Sequence, residues 1–426
     1  SLERALLQVM CRTERASMTQ NHNSMLVEIS RDTNPTVGDL KQAAAVDGVA
    51  EGVEGPDQIE YWKATPYVLN YMRQYELRKK LDPQLEHPAG PLHTAIAAAA
   101  ECCLTREELD DYRRIDPGNA RLRTLFEDTI NQGMWQLLWM PPSVPYTEPT
   151  GVFRGKEKLT KALVFSAWNA VPNAIASITS YEAERRMVED ADVSRTVLYD
   201  KVKPLLRFAA SSVDGRLTGM PVIAWMLPCP ALATEIDPLR IALSLGRGPV
   251  NPKVLRDEVT AICRKLIAAL PESSPGNRED ERWYWAAPIL LGNDKRLLDW
   301  CKSASGWRSG GPDQEKGTRF DDHLDLLVSV AEDPSSLGPK PSDLADVLCD
   351  LALGGPGVCA LRALGRLDPS LDVFDEKMLT GAAVAANAFR TLFNTPENIA
   401  MLRGGEDSYW RLTLQYAIDG NLQAVL

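Results

Sequence analysis

Apolar residues recur at helical spacing along most of the chain, and polar, Pro- or Gly-rich joints separate the periodic stretches. Leu2, Leu6, Leu7 and Met10 open one such stretch, which turns polar near Thr19–Asn23. Asp39 sits near the N-cap of a helix beginning at Thr36-Val37-Gly38, and Gly48, Gly52, Gly55 and Pro56 mark the loop beyond. A moderately amphipathic helix is expected after Pro66, using Tyr67, Leu69, Met72 and Leu77. It ends in Arg78-Lys79-Lys80, as the helix dipole prefers. Thr105-Arg106-Glu107-Glu108 is a capping box for a helix to about Arg114, and another helix is expected from Asn119 to Leu138.

Four prolines between Pro141 and Pro149 then exclude regular helix and predict an extended connector. It leads to Ala162–Phe165, a continuous apolar run of the kind that forms a strand buried on both faces, ending at the polar Ser166. A helix follows Pro172, with Ile175, Ile178 and Met187 on or near one face. Beyond about residue 190 the periodicity predicts helices near 193–210, 238–246, 252–270, 280–305, 320–332, 341–353, 356–366, 374–393, 395–403 and 405–424. Met220–Leu227, bounded by Pro228 and Pro230, reads as a second strand. The expected fold class is mainly α with a small α/β element, and no fixed-period repeat indicates a solenoid.

Composition narrows this picture. A length of 426 residues calls for two or three units, and 44% hydrophobic with 25% charged residues is ordinary globular usage. The net charge of −11 argues against a dedicated nucleic-acid-binding module and against an anionic-membrane binder, while leaving room for a local basic groove. No apolar run approaches the roughly 18 residues of a membrane span. No signal peptide is seen at Ser1-Leu2-Glu3-Arg4, and Ser1 in place of Met suggests an internal fragment or a trimmed tag. The eight cysteines include no CxxC pair, and with four histidines no zinc spacing arises. Reduced, mostly buried thiols in a cytoplasmic protein are expected.

Several constellations bear on chemistry. No GxxxxGK[ST] loop is present, and Gly246-Arg247-Gly248-Pro249 lacks the lysine–hydroxyl pair. Gly354-Gly355-Pro356-Gly357 reads as a helix cap, and Asp375-Glu376 as a helix start rather than a magnesium-holding acidic pair. Trp283-Tyr284-Trp285, Trp300 and Trp307 stand among Arg282, Lys295, Arg296, Lys302 and Arg308. That mixture suits either core or partner-interface anchors or a single-strand stacking platform. His323, beside Asp321, Asp322 and Asp325, is expected on a solvated acidic helix start, and no second histidine lies near it to complete a metal site. There is no GxSxG elbow and no distinctive carboxylate pair.

Lys161-Ala162-Leu163-Val164-Phe165-Ser166-Ala167-Trp168 resembles the opening of the second RecA-like lobe of Snf2-like superfamily 2 helicases, at the motif called IV. Leu7-Gln8-Val9-Met10-Cys11-Arg12-Thr13-Glu14-Arg15 partly resembles the segment after motif III, although Cys11 stands where the family usually has a second basic residue. Trp139–Tyr146 resembles the linker between lobes, and Tyr409-Trp410-Arg411 through Leu426 the helix before the second lobe resumes. The resemblance covers about a fifth of the chain and omits the arginine-bearing motif VI.

The resemblance implies a DNA-dependent ATPase that couples hydrolysis to translocation, with a role in bacterial phage defence or DNA repair. It makes Ser166, Trp168, Arg12 and Arg15 the nucleic-acid-binding candidates. ATP and magnesium are implied for the larger motor only; this chain alone holds no cofactor motif and is not expected to hydrolyse ATP. The implied organisation is a helical segment linking the lobes over 1–150, the first strand and helix of the second lobe over 151–190, and a helical insertion over 191–426 with a possible protein partner. The alternative is a non-enzymatic, mostly helical interaction or scaffold domain.

Overall fold

The helices begin and end where local chemistry permits. In this computed structural model, which describes residues 33–88, 90–190, 202–292, 294–303, 319–403 and 407–426, Thr36 caps helix Val37–Gly52. Its hydroxyl accepts from the Asp39 amide at 3.2 Å, and the Asp39 carboxylate accepts from the Thr36 amide at 2.8 Å. Thr105 and Glu108 form the same reciprocal box at helix Arg106–Asp110. Asp237, Asn251 and Asp375 cap helices Pro238–Leu245, Pro252–Ala268 and Glu376–Phe393 through side-chain oxygens.

The described residues are mainly helical, and extended pairing among them is limited to two isolated bridges, Thr147↔Val250 and Ala210↔Leu217. Two strand expectations therefore change. Met220–Met226 is a helix, buried on all sides, with Pro221 in its first turn; a short apolar run does not by itself separate a buried helix from a buried strand. Residues 159–166 form no strand, and 161–169 are exposed, with Leu163 and Val164 55% and 49% accessible. A strand buried on both faces needs neighbours on each side, and the described residues supply no sheet. The helix expected after Pro66 is broken into Val68–Tyr71 and Glu76–Leu81, and Ile59–Ala64 forms a separate helix ahead of it. That expected across 280–305 divides into Trp283–Gly292 and Lys295–Ser303. Of the helix expected over 193–210, residues 193–201 lie outside the described residues and 202–210 are irregular.

The chain divides into two units whose pieces interleave along the sequence. The first takes the described residues up to Cys103, then Asp116–Glu127 and Ser166–Ile175. Its core packs helix Val37–Gly52 on Gly90–Ala100, with Val46, Val49, Met72, Leu77 and Leu92 buried. Arg123 pairs with the buried Asp39 and with Asp116.

The second unit takes Leu104–Ile115, Asp128–Phe165 and the described residues from Ala176 on. It is a helical assembly around Trp225, Trp283, Phe393 and a large aliphatic cluster. Gly354 and Gly357 permit its closest crossings. A Cβ on Gly354 would lie 2.7 Å from the Leu414 carbonyl, and one on Gly357 2.2 Å from that of Met226. The Gly354–Gly357 run thus serves backbone approach, and Gly355 is the N-cap of helix Pro356–Leu367. The Pro-rich connector is tied to the chain's last turn by Asn421, whose Oδ1 accepts from the Tyr146 and Thr147 amides and the Thr147 hydroxyl. Trp139 stacks on Phe153 and donates to the Gly420 carbonyl.

Arg362 lies fully inside this unit. Its guanidinium donates to the carbonyls of Leu232 (3.2 Å), Ala233 (3.3 Å) and Ala352 (3.1 Å), and to Gln423 Oε1. No carboxylate pairs with it among the described residues, and burial pushes its pKa below the usual arginine value. No single helix among the described residues is long and apolar enough to cross a membrane. The bent pair Leu344–Gly354 and Pro356–Leu367 reaches that composition because both helices sit in the core.

Candidate nucleic-acid interface

Ser166 and Trp168 sit in the first unit, just ahead of helix Ala170–Asp190. Ser166 is exposed and its hydroxyl oxygen accepts from the Trp168 amide at 3.1 Å, a local turn that fixes the approach to the helix. Trp168 is 36% exposed. Its ring lies 4.4 Å from that of Tyr61 at 44°, and Tyr61 in turn meets Tyr75 edge-on at 5.1 Å. The Tyr75 hydroxyl accepts from the Ala170 amide at 3.2 Å, holding this aromatic row against the start of the helix.

These rings form one wall of an open cleft of about 600 Å³. Gln58, Tyr71, Arg73, Gln74, Glu76 and Asn169 are among its other lining residues. The break in the helix expected after Pro66 creates the space, because Arg73 and Gln74 fall in the irregular joint between Val68–Tyr71 and Glu76–Leu81. Gln58 is buried; its Nε2 donates to the Pro56 carbonyl at 2.6 Å, and its Oε1 is left without a partner. The Glu76 carboxyl lies below the usual carboxylate range because Lys79 donates a hydrogen bond to it and adds its charge. Arg73, Arg78, Lys79 and Lys80 fall within eight residues, a local basic run in an acidic chain.

Chemically, the cleft offers an exposed indole against a phenol ring for stacking a flat group, amides for its edge, and an arginine for an adjoining anion. It offers no nucleophile–base pair. Among the described residues no three His, Cys, Asp or Glu side chains converge to hold a metal ion.

The other candidates fall elsewhere. Arg12 and Arg15 lie outside the described residues, as do Trp307 and Arg308. Trp283, Trp285 and Trp300 are core anchors: the Trp283 indole donates to the Gly338 carbonyl at 2.7 Å and that of Trp300 to the Thr380 hydroxyl at 3.1 Å. Arg282, Arg296 and Lys302 pair with Asp280, Asp294 with Asp372, and Glu332, so no stacking platform arises there among the described residues. His323 is buried, not solvated. Its Nε2 accepts from the Gly219 amide at 3.1 Å and its Nδ1 faces the Arg319 carbonyl at 2.5 Å, which fixes the neutral Nδ1–H tautomer. Asp375 caps its helix through a 2.8 Å bond from the Lys377 amide. The cysteines among the described residues are free: Cys229, Cys263, Cys301, Cys349 and Cys359 are buried, and Cys102 and Cys103 half-buried. Burial pushes the Cys229, Cys301 and Cys349 thiols up to about 12.

Tyr61, Tyr71 and Tyr75 were not apparent as site residues from spacing alone. The available signal was the density of tyrosines between 61 and 75, which also suits an amphipathic helix face. No protein-family model, curated protein or solved structure matches the chain.

Proposed function

We propose that this chain is a non-catalytic, helical part of a DNA-dependent motor resembling the Snf2-like superfamily 2 helicases, and that the Tyr61–Trp168 cleft is its contact with single-stranded DNA. Trp168 carries the reading: the tryptophan of the Phe-Ser-x-Trp sequence is also the exposed ring of an aromatic, amide-lined cleft with an arginine beside it. Stacking on such a ring is sequence-tolerant, as a translocating motor requires. The ATP- and magnesium-binding chemistry would belong to other parts of the motor. Such a motor would work in the cytoplasm, where the free thiols stay reduced.

A second reading, a helical interaction or scaffold domain, is favoured by the exposed apolar side chains of Leu163 and Val164. Fluorescence anisotropy with labelled oligo-dT at about 50 mM salt, where phosphate contacts are strongest, separates the two. The motor reading expects binding that weakens about 5- to 150-fold in Trp168→Ala, the range for one stacked base, and survives in Trp168→Phe. Absence of binding by the unmodified protein, or equal binding by Trp168→Ala, leaves the scaffold reading.

A further inference from the structure

The second unit contains a separate pocket of about 370 Å³, near the lower end of the roughly 300–1,000 Å³ typical of small-molecule sites. Its wall is mostly apolar, built from Leu255, Leu353, Ile418 and Ala424. Lys253 and Arg256, which also line it, are already neutralised by Asp257 at 2.7 Å and Asp350 at 2.5 Å.

Asp419 is the exception. Its Oδ1 accepts from the Thr150 hydroxyl at 2.5 Å and the Gln415 amide at 2.8 Å, both neutral donors. No lysine, arginine or histidine pairs with it, and its Oδ2 has no hydrogen-bond donor among the described residues. Residue 151 is a glycine at φ +54°, and a Cβ there would lie 2.4 Å from that same Oδ2. The glycine lets the backbone pass close to that oxygen, where any side chain would clash with it. An oriented carboxylate with one free acceptor, set in an apolar wall whose other charges are paired, is one negative charge in excess.

We propose that this pocket binds a small primary amine carrying an apolar body, the ammonium donating to Asp419 Oδ2 and the hydrocarbon covering Leu255, Leu353 and Ile418. A charge-assisted bond supplies selectivity for the cation, and the apolar wall supplies the remaining affinity.

The test is calorimetric titration of the full chain with hexylamine, hexan-1-ol, hexanoate and leucine, which share an apolar body and differ in the polar end. Hexylamine is expected to bind at least about tenfold more tightly than the alcohol, with hexanoate and zwitterionic leucine weaker still. Asp419→Asn keeps the Oδ1 bonds and the shape, and should lower hexylamine affinity to that of the alcohol. Circular dichroism confirms that the variant is folded, and the comparison of the four compounds on the unmodified protein stands without any variant. Equal binding of amine and alcohol, no binding of hexylamine at millimolar concentration, or undiminished binding by a folded Asp419→Asn protein overturns the proposal.

Discussion

Replacing Arg362 by methionine tests how an unpaired cation is accommodated in the core. The guanidinium reaches three main-chain carbonyls near the ends of helices Pro230–Glu235 and Leu344–Gly354, together with Gln423 Oε1. Arg362→Met leaves four acceptors in a dry interior, at about 1–3 kcal/mol each. Against this, the variant no longer buries a charge, an effective cost of several kcal/mol. The acceptors outnumber the charge, so a net loss of about 2–4 kcal/mol is expected. Arg362→Lys separates fork geometry from charge. An ammonium keeps the desolvation cost but has three donors from one point, so it should be at least as destabilised as the methionine variant. Native-state hydrogen exchange by mass spectrometry reads this locally. Peptides from Pro230–Glu235 and Pro356–Leu367 should exchange about 30- to 1,000-fold faster in Arg362→Met. Unchanged or slower exchange, or full rescue by lysine, would falsify the reasoning.

Two further outcomes follow from single residues. Burial holds the His323 pKa below the usual 6.5, against the pull of the Arg319 and Ala209 carbonyls and Asp322, so the unfolded chain binds the extra proton first. The second unit should therefore lose stability as pH falls below about 6.5. Thermal melts between pH 7.5 and 5 check this, and His323→Gln, whose amide oxygen still accepts from Gly219, should lose that slope. Gly357→Ala tests the close crossing: helix propensity favours alanine by about 1 kcal/mol, but overpacking at a backbone contact costs about 1–3 kcal/mol or more. A net decrease in urea midpoint is expected, and an increase would mean that the helices separate freely.

The helix boundaries most legible in the sequence were those with local signals. Thr36 with Asp39, Thr105 with Glu108, and Asp375 carry their caps in their own side chains. What was not legible depends on distant residues. Met220–Met226 has the composition of a strand or of a buried helix, and only the surrounding helices decide between them. His323 looks solvated beside three aspartates, yet its ring faces inward to Gly219, more than 100 residues away. Trp168 was visible through a resemblance, whereas Tyr61 and Tyr75 joined it only once the chain had folded back across about 90 to 110 residues.

The interleaving of the two units has a consequence for synthesis. The first unit cannot be complete until Ile175 has left the ribosome, and by then stretches 104–115 and 128–165 of the second unit are already exposed without most of their partners. Asn421 follows Ile175 by about 245 residues, which at roughly 5–20 residues per second take about 12–50 seconds to make. During that interval the connector and its neighbours, including the ring of Trp139, lack the C-terminal turn that later covers them. Over that window, which closes when Asn421 emerges, the nascent chain carries uncovered surface of the kind that chaperones shield.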